Sequence, residues 1–262
     1  MVVLILGALR DLAKRERLGA VVTVVAGPDL GANAVVDFDE GVVAGALPVD
    51  VADDVLADAG QLMEHEQNRT LSYGERELFI ETVAPQPRLL VFGAGHVAQP
   101  LSRMAQELGF RVIVSDARTT WATEERFPHV DQLIVAWPDE VFEQIEPDRR
   151  TYVVMLSHDA RFEKPVLAAV RNAPVRYVGA MGSRRTARQR VEHLTAEGWS
   201  DEEIERIHAP IGIDIGAEQP AEVALSILAE IVRARYGAGT GLSLRGQEGR
   251  VHAQRGEEVG TA

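Results

Sequence analysis

Apolar and polar positions repeat with two periods along the chain, and the order in which the periods appear divides it into segments. Leu4, Ile5, Ala8, Leu12 and Ala13 recur at helical spacing before the basic end Lys14-Arg15-Arg17 and a stop at Gly19, so residues 2–18 are predicted to be a helix with a solvated charged face. Val21 to Val25, Ala34 to Phe38 and Gly41 to Leu47 read as short strands, the last two joined at Asp39-Glu40. Val49 to Glu66 reads as a second helix, and Arg69 to Val83 as a hairpin turning at Tyr73-Gly74. The prolines of Ala84-Pro85-Gln86-Pro87 stiffen the chain and disfavour helix before them, which sets a boundary. Residues 1–87 are therefore predicted to be a small α+β domain.

From Arg88 the pattern changes to strand and helix in alternation. Leu89 to Phe92, Val112 to Val114, Gln132 to Val135, Tyr152 to Leu156 and Val175 to Val178 are short apolar runs separated by helical stretches. Strands that are apolar on both faces belong between two helical layers, in a mostly parallel sheet. With strand order 3-2-1-4-5, the loops after the first and fourth strands flank the crevice where the connections reverse direction, and the fifth lies beside them. The apolar helix from Pro220 through Val232 closes this segment, taken as residues 88–236, and the glycine-rich aperiodic stretch 237–262 reads as a disordered tail.

The first strand of this segment runs into Gly93-Ala94-Gly95-His96-Val97-Ala98, and an acidic residue, Asp116, follows the next strand about twenty positions on, as in a dinucleotide-binding unit. Gly93 suits a tight turn, Gly95 the close approach of a pyrophosphate, and the helix from His96 and Val97 directs its positive end at that anion. Ala98 fills the third, small position. Asp116 can accept from both ribose hydroxyls, while Arg118 keeps a 2′-phosphate admissible. The fold class is accordingly α/β, a Rossmann-like, mostly parallel sheet with a small N-terminal α+β domain.

Two further loops reach the same sheet edge. In Ser157-His158-Asp159-Ala160-Arg161-Phe162-Glu163, ahead of the helix that Pro165 is expected to help begin, His158 can act as acid or base with Asp159 or Glu163 orienting it. Alternatively Ser157 and Asp159 cap a turn and His158 is solvated. Neighbouring His158 and Asp159 make a poor metal pair, and no metal site is expected. Gly182-Ser183-Arg184-Arg185 opens a helix where free N–H groups, a hydroxyl and guanidinium forks form an anion cradle. Arg188 and Arg190 are expected to face water. Gly198 to Ile207 reads as a helical hairpin that packs. In the last turn Gly212 and Gly216 bracket Asp214, which either presents a carboxylate to a ligand or makes a structural hydrogen bond.

Composition narrows the chemistry. A formal net charge of -13 argues against nucleic acid or an anionic membrane as partner, so any anion site is local. With no cysteine the chain has no disulfide, thiolate metal site or persulfide carrier of its own. Met1 to Leu9 lacks the basic flank and cleavage pattern of a signal peptide, and no apolar run is long enough for a membrane span, so a cytoplasmic location is expected.

Four blocks in order, VFGAGHVAQPL, LSHDARFEKPVL, YVGAMGSRRTARQR and APIGIDIGAEQPAEVALSILAEIV, resemble the XdhC/CoxI family of accessory proteins for molybdenum hydroxylases such as xanthine dehydrogenase. The resemblance covers about residues 88 to 236. It implies a chaperone, typically dimeric, that receives molybdenum cofactor (molybdopterin), promotes exchange of an oxo for a sulfido ligand with a cysteine desulfurase, and passes the cofactor to the apo-hydroxylase. His96, Ser157, His158, Asp159, Gly182, Ser183, Arg184, Arg185, Asp214 and Gly216 fall in the family's characteristic blocks. Two departures stand out. The Ser-Gly-Gly-Cys segment usual in the family's first domain is missing from a shortened stretch between Gly31 and Leu47, and Ser157 and Ala160-Arg161 stand where a more histidine-rich loop is usual. The glycine fingerprint alone also suits an NAD(P)-dependent oxidoreductase with His158 as acid or base, and a ligand-free scaffold is a third reading.

Overall fold

The structure, a computed structural model, describes residues 2–157 and 159–246. The amino-terminal part comprises α1 (Val2–Lys14), β1 (Gly19–Ala26), β2 (Asn33–Asp37), β3 (Gly41–Gly45), α2 (Ala52–Glu64), β4 (Arg69–Tyr73) and β5 (Arg76–Val83). Its strands form one antiparallel sheet in the order β3-β2-β1-β5-β4. Alternation along β1 and β5 sends Ala20, Val22, Val24, Leu78 and Ile80 to one face, where Val55, Ala59, Leu62 and Met63 of α2 cover them. On a smaller cluster, Ile5 and Leu12 of α1 cover Val35.

The second part comprises β6 (Arg88–Phe92), α3 (Ala98–Glu107), β7 (Arg111–Ser115), β8 (Gln132–Ile134), α4 (Pro138–Gln144), β9 (Thr151–Met155), α5 (Ala160–Val170), β10 (Tyr177–Ala180), α6 (Arg184–Ala196), α7 (Asp201–Glu205), β11 (Ile207–His208) and α8 (Pro220–Tyr236). All its strand pairs are parallel, in the order β8-β7-β6-β9-β10-β11. The order expected for the first five strands therefore holds, with the two-residue β11 added at the edge. Where a helical hairpin was expected between Gly198 and Ile207, one short helix, α7, forms, and β11 begins at Ile207. Leu89, Val91, Val112, Val114, Tyr152 and Val154 pack under Leu101 of α3 and Ile227 and Ile231 of α8. Their neighbours Leu90, Phe92, Ile113, Val153 and Met155 pack under Val141 of α4, Val166 of α5 and Leu194 of α6. Period-two alternation between two apolar layers is what a doubly covered sheet requires.

Helix ends carry their expected chemistry. Pro220 is the first residue of α8, and Gly237 ends it in the left-handed conformation at φ 55°. Pro165, by contrast, lies inside α5, because Asp159 caps that helix earlier. Of the stretch after α8, residues 237–246 are described and include one turn of 3-10 helix, Leu244–Gly246; the rest of the expected tail lies outside the described residues.

The antiparallel part docks at the end of the parallel sheet where its strands begin. Arg150, just ahead of β9, pairs with Glu16 at 2.9 Å, and Arg149 lies over the Phe38 ring at 4.6 Å. Arg176, ahead of β10, meets His65 at 3.1 Å, and Arg235 at the end of α8 pairs with Glu66 at 2.6 Å. The crevice lies at the opposite end of the strands.

Candidate functional site

The loops that leave β6, β7, β9, β10 and β11 gather at the carboxyl edge of the parallel sheet. Adjacent strands are about 4.8 Å apart, so the turn after β6 stands about 10 Å from the loop after β10, two strands away. Gly93 has φ +108°, and a Cβ there would come within 3.0 Å of the Ser157 amide nitrogen. Glycine is thus demanded by backbone conformation and by the neighbouring loop together. Gly93 N–H donates to Ser115 O at 2.8 Å and Ala94 N–H to Asp116 Oδ2 at 2.8 Å, which binds the turn to the end of β7. Gly95 is different. A Cβ there would meet nothing within 4 Å, and the N–H groups of Gly95, His96 and Val97 have no acceptor among the described residues. Open space beside unpaired donors at the start of α3 suits an approaching anion.

Asp116 is completely buried, and its carboxylate accepts four hydrogen bonds between 2.7 and 3.0 Å, from Ala94 N–H, Arg118 N–H, Arg118 Nε and Arg118 Nη2. Burial pushes the carboxyl up, but the Arg118 side chain and the two backbone donors outweigh it and hold the group below its ordinary value. A carboxylate offers about four acceptor positions, and all are taken. In this arrangement a ribose hydroxyl finds an acceptor on Asp116 only where Arg118 lets go. Freeing a buried carboxylate from its cation costs up to about 3–5 kcal/mol, against about 1 kcal/mol regained from each neutral hydroxyl. Arg118, half exposed, is the group that remains on view. It lies 5.2 Å from the centre of the Trp121 ring, which also meets exposed His96 edge-on at 5.4 Å and Arg126 at 4.8 Å.

After β9, Ser157 Oγ accepts from Asp159 N–H at 3.2 Å, and Asp159 caps α5 by accepting from Arg161 N–H at 2.9 Å. The Arg161 side chain, with its N–H, pulls the Asp159 carboxyl down to about 2. So strong an acid is a poor general base near neutrality. Asp159 thus takes the capping role, and His158 lies outside the described residues. Glu163, considered as an orienter for His158, instead grips Arg190 through Nε at 2.5 Å and Nη2 at 2.9 Å. Arg190 is buried, not solvated as expected from its charge, and its Nη2 also reaches Met181 O at 3.4 Å. One guanidinium therefore joins the start of α5 to the loop after β10.

In that loop Ser183 caps α6, accepting from Thr186 N–H at 3.1 Å, while Arg184 and Arg185 are exposed and pair with no described residue. A Cβ on Gly182 would lie 3.2 Å from Thr186 Cβ. After β11, exposed Asp214 accepts from Gly216 N–H at 3.3 Å, and Gly212 N–H donates to Glu230 at 2.9 Å. Glu230 also accepts from Tyr177 Oη at 2.5 Å and faces His208 Nδ1 at 3.5 Å. Burial raises the Glu230 carboxyl, but His208, Tyr177 and the Gly212 N–H together hold it below its ordinary range. This network anchors the Asp214 loop.

The structure thus brings Gly93, Gly95, His96, Val97, Ser157 and Asp159 together on neighbouring strands, puts Gly182 to Arg185 one strand further, and puts Asp214 and Gly216 in the loop after the edge strand. Trp121 and the Glu230 network were not legible beforehand. Arg190 had a signal: it lies three residues after buried Ala187 and four before buried Leu194, on the inward stripe of α6. No group of three or more His, Asp or Glu suited to a metal occurs among the described residues, and none of their helices is long and apolar enough to cross a membrane.

A doubly wound parallel sheet with its loops gathered at the carboxyl edge defines a Rossmann-like class of domain. Comparison with known proteins makes this specific: the XdhC Rossmann domain model matches residues 89–231, more than half the chain. The chain belongs to the XdhC family. Among curated relatives, a probable xanthine dehydrogenase subunit of Bacillus subtilis (strain 168) is 31% identical over 158 residues, which is 60% of this chain and 46% of the relative. The molybdenum cofactor insertion chaperone PaoD of Escherichia coli (strain K12) is 34% identical over 151 residues, 58% of this chain and 41% of PaoD. The chain thus matches less than half the length of either. A crystal structure described as a xanthine dehydrogenase from Bacillus halodurans shares the fold, with TM-score 0.52 at 18% identity, covering 87% of this chain and 92% of that one.

Proposed function

We propose that the protein is an accessory factor that binds molybdenum cofactor at the carboxyl edge of its parallel sheet, assists its sulfuration, and delivers it to a hydroxylase of the xanthine dehydrogenase type. The observation that carries this reading is an open glycine turn at Gly95 and, at the same sheet edge, exposed Arg184 and Arg185 that pair with no described residue, in a chain of the XdhC family. A pterin that ends in phosphate needs donors for the anion at one end and polar contacts at the other. The N–H groups of Gly95 to Val97 and the arginines of the second loop hold the anionic part; Asp214 approaches the pterin side. The name borne by the Escherichia relative supports a maturation role, and that of the Bacillus relative a link to xanthine dehydrogenase.

The chain has no cysteine, so the sulfur comes from a cysteine desulfurase and this protein only holds the recipient. The client is the apo-hydroxylase, the working form a homodimer, and the location the cytoplasm. The test is co-elution of molybdenum cofactor with the purified protein on size exclusion, read by pterin fluorescence and molybdenum content. Retention by the wild type and a loss of about tenfold or more in Arg184→Ala/Arg185→Ala is expected. No retention, or retention indifferent to the double substitution, refutes the reading.

A further inference from the structure

We propose that Arg118 is the group through which the β7 side of the crevice meets its ligand, and that it makes this side selective for a phosphate monoester over a ribose diol. The inference rests on the crevice being a site for an anionic cofactor. A guanidinium carries five N–H donors along edges that can each grip an oxyanion with two parallel bonds. Arg118 uses one edge on Asp116, with Nε to Oδ1 at 2.9 Å and Nη2 to Oδ2 at 2.7 Å. The edge formed by Nη1 and the second N–H of Nη2 bonds to no described residue, and the side chain is half exposed.

The orientation of that edge is set in advance. The chelate on Asp116 fixes the plane, the Trp121 ring lies 5.2 Å away, and the same carboxylate holds the Ala94 N–H of the glycine turn. Asp116 is neutralised by the pairing and offers no free acceptor, while Arg118 offers donors only. A ribose diol can accept from Arg118 as a neutral partner but finds nothing here to take its own two protons. A dianionic phosphate finds two aligned donors whose rotamer freedom is already lost. The other carboxylate felt by Arg118, Asp159, is itself paired with Arg161 at 2.7 Å.

NADP+ and NAD+ differ by a single 2′-phosphate and serve as probes on the full chain, with Kd from titration calorimetry. NADP+ is expected to bind about 10- to 100-fold more tightly than NAD+. Arg118→Ala should bring the ratio close to one. Arg118→Lys, which keeps a cation beside buried Asp116 but lacks the second edge, should do the same if the alanine variant fails to fold. Equal binding of the two probes, binding of neither, or a ratio that survives in folded Arg118→Lys overturns the proposal. Retention of molybdenum cofactor without a 2′-phosphate preference sinks this inference alone, and the preference without retention sinks only the reading on which it rests.

Discussion

The Glu163–Arg190 pair joins two crevice loops, and its asymmetric burial leads to an unequal pair of mutational effects. The Arg190 side chain is 6% exposed and that of Glu163 21%. Glu163→Leu strands a buried cation whose Nη1 already has no hydrogen-bond partner among the described residues, a loss of about 3–5 kcal/mol. Arg190→Met removes the charge, keeps an apolar stem in the packed layer, and leaves a carboxylate that can turn toward water, which limits the loss to about 1–2 kcal/mol. The double variant should return to within about 1 kcal/mol of wild type, because two desolvated charges disappear together. Urea unfolding followed by tryptophan fluorescence is suited to this, since Trp121, Trp137 and Trp199 are the chain's 3 tryptophans and all lie in the parallel-sheet part. Arg190→Met costing as much as Glu163→Leu, or a double variant no better than Glu163→Leu, would refute the reasoning.

The two glycines of the first turn should separate stability from binding. Gly93→Ala is expected to cost at least about 2 kcal/mol in thermal or urea unfolding, from positive φ and contact with the Ser157 amide. Gly95→Val should stay within about 0.5 kcal/mol of wild type yet lose cofactor retention on size exclusion, because the added groups enter the open space. Asp159 has its carboxyl lowered from 3.8 to about 2, so its pairing with Arg161 adds stability above the unfolded value and loses it as pH falls through about 2. The melting-temperature gap between wild type and Asp159→Asn should be flat above about pH 5 and close between 3.8 and 2; a gap constant to pH 2 would contradict this. Tyr177→Phe should cost about 1–3 kcal/mol by urea unfolding, by removing a donor from the part-buried Glu230 carboxylate.

Much of the parallel sheet was legible because its strands are apolar on both faces and its helices begin at polar loops. Leu89 to Phe92 followed by glycines can hardly be anything else. β11 was not legible, since two residues, Ile207 and His208, carry no period and pair only because β10 offers an edge. Arg190 was misread when its charge was weighed above its place on the stripe with Ala187 and Leu194. Asp116 was found at the right place for a ribose acceptor, but which donors fill a carboxylate depends on side-chain conformation, here that of Arg118 two residues on. Trp121 sits in an irregular loop whose contact with His96 joins residues from different strands, and local pattern holds no record of such a meeting.

The docking of the antiparallel part at the start of the β6, β9 and β10 strands has a consequence for traffic. A five-residue strand is about 17 Å long, so the docked part and the crevice face opposite ends of a slab that thick. A second macromolecule that grips the antiparallel part leaves the crevice mouth unobstructed. Under the proposed role, cargo exchange would proceed while the protein stays tethered, and release would not wait for dissociation.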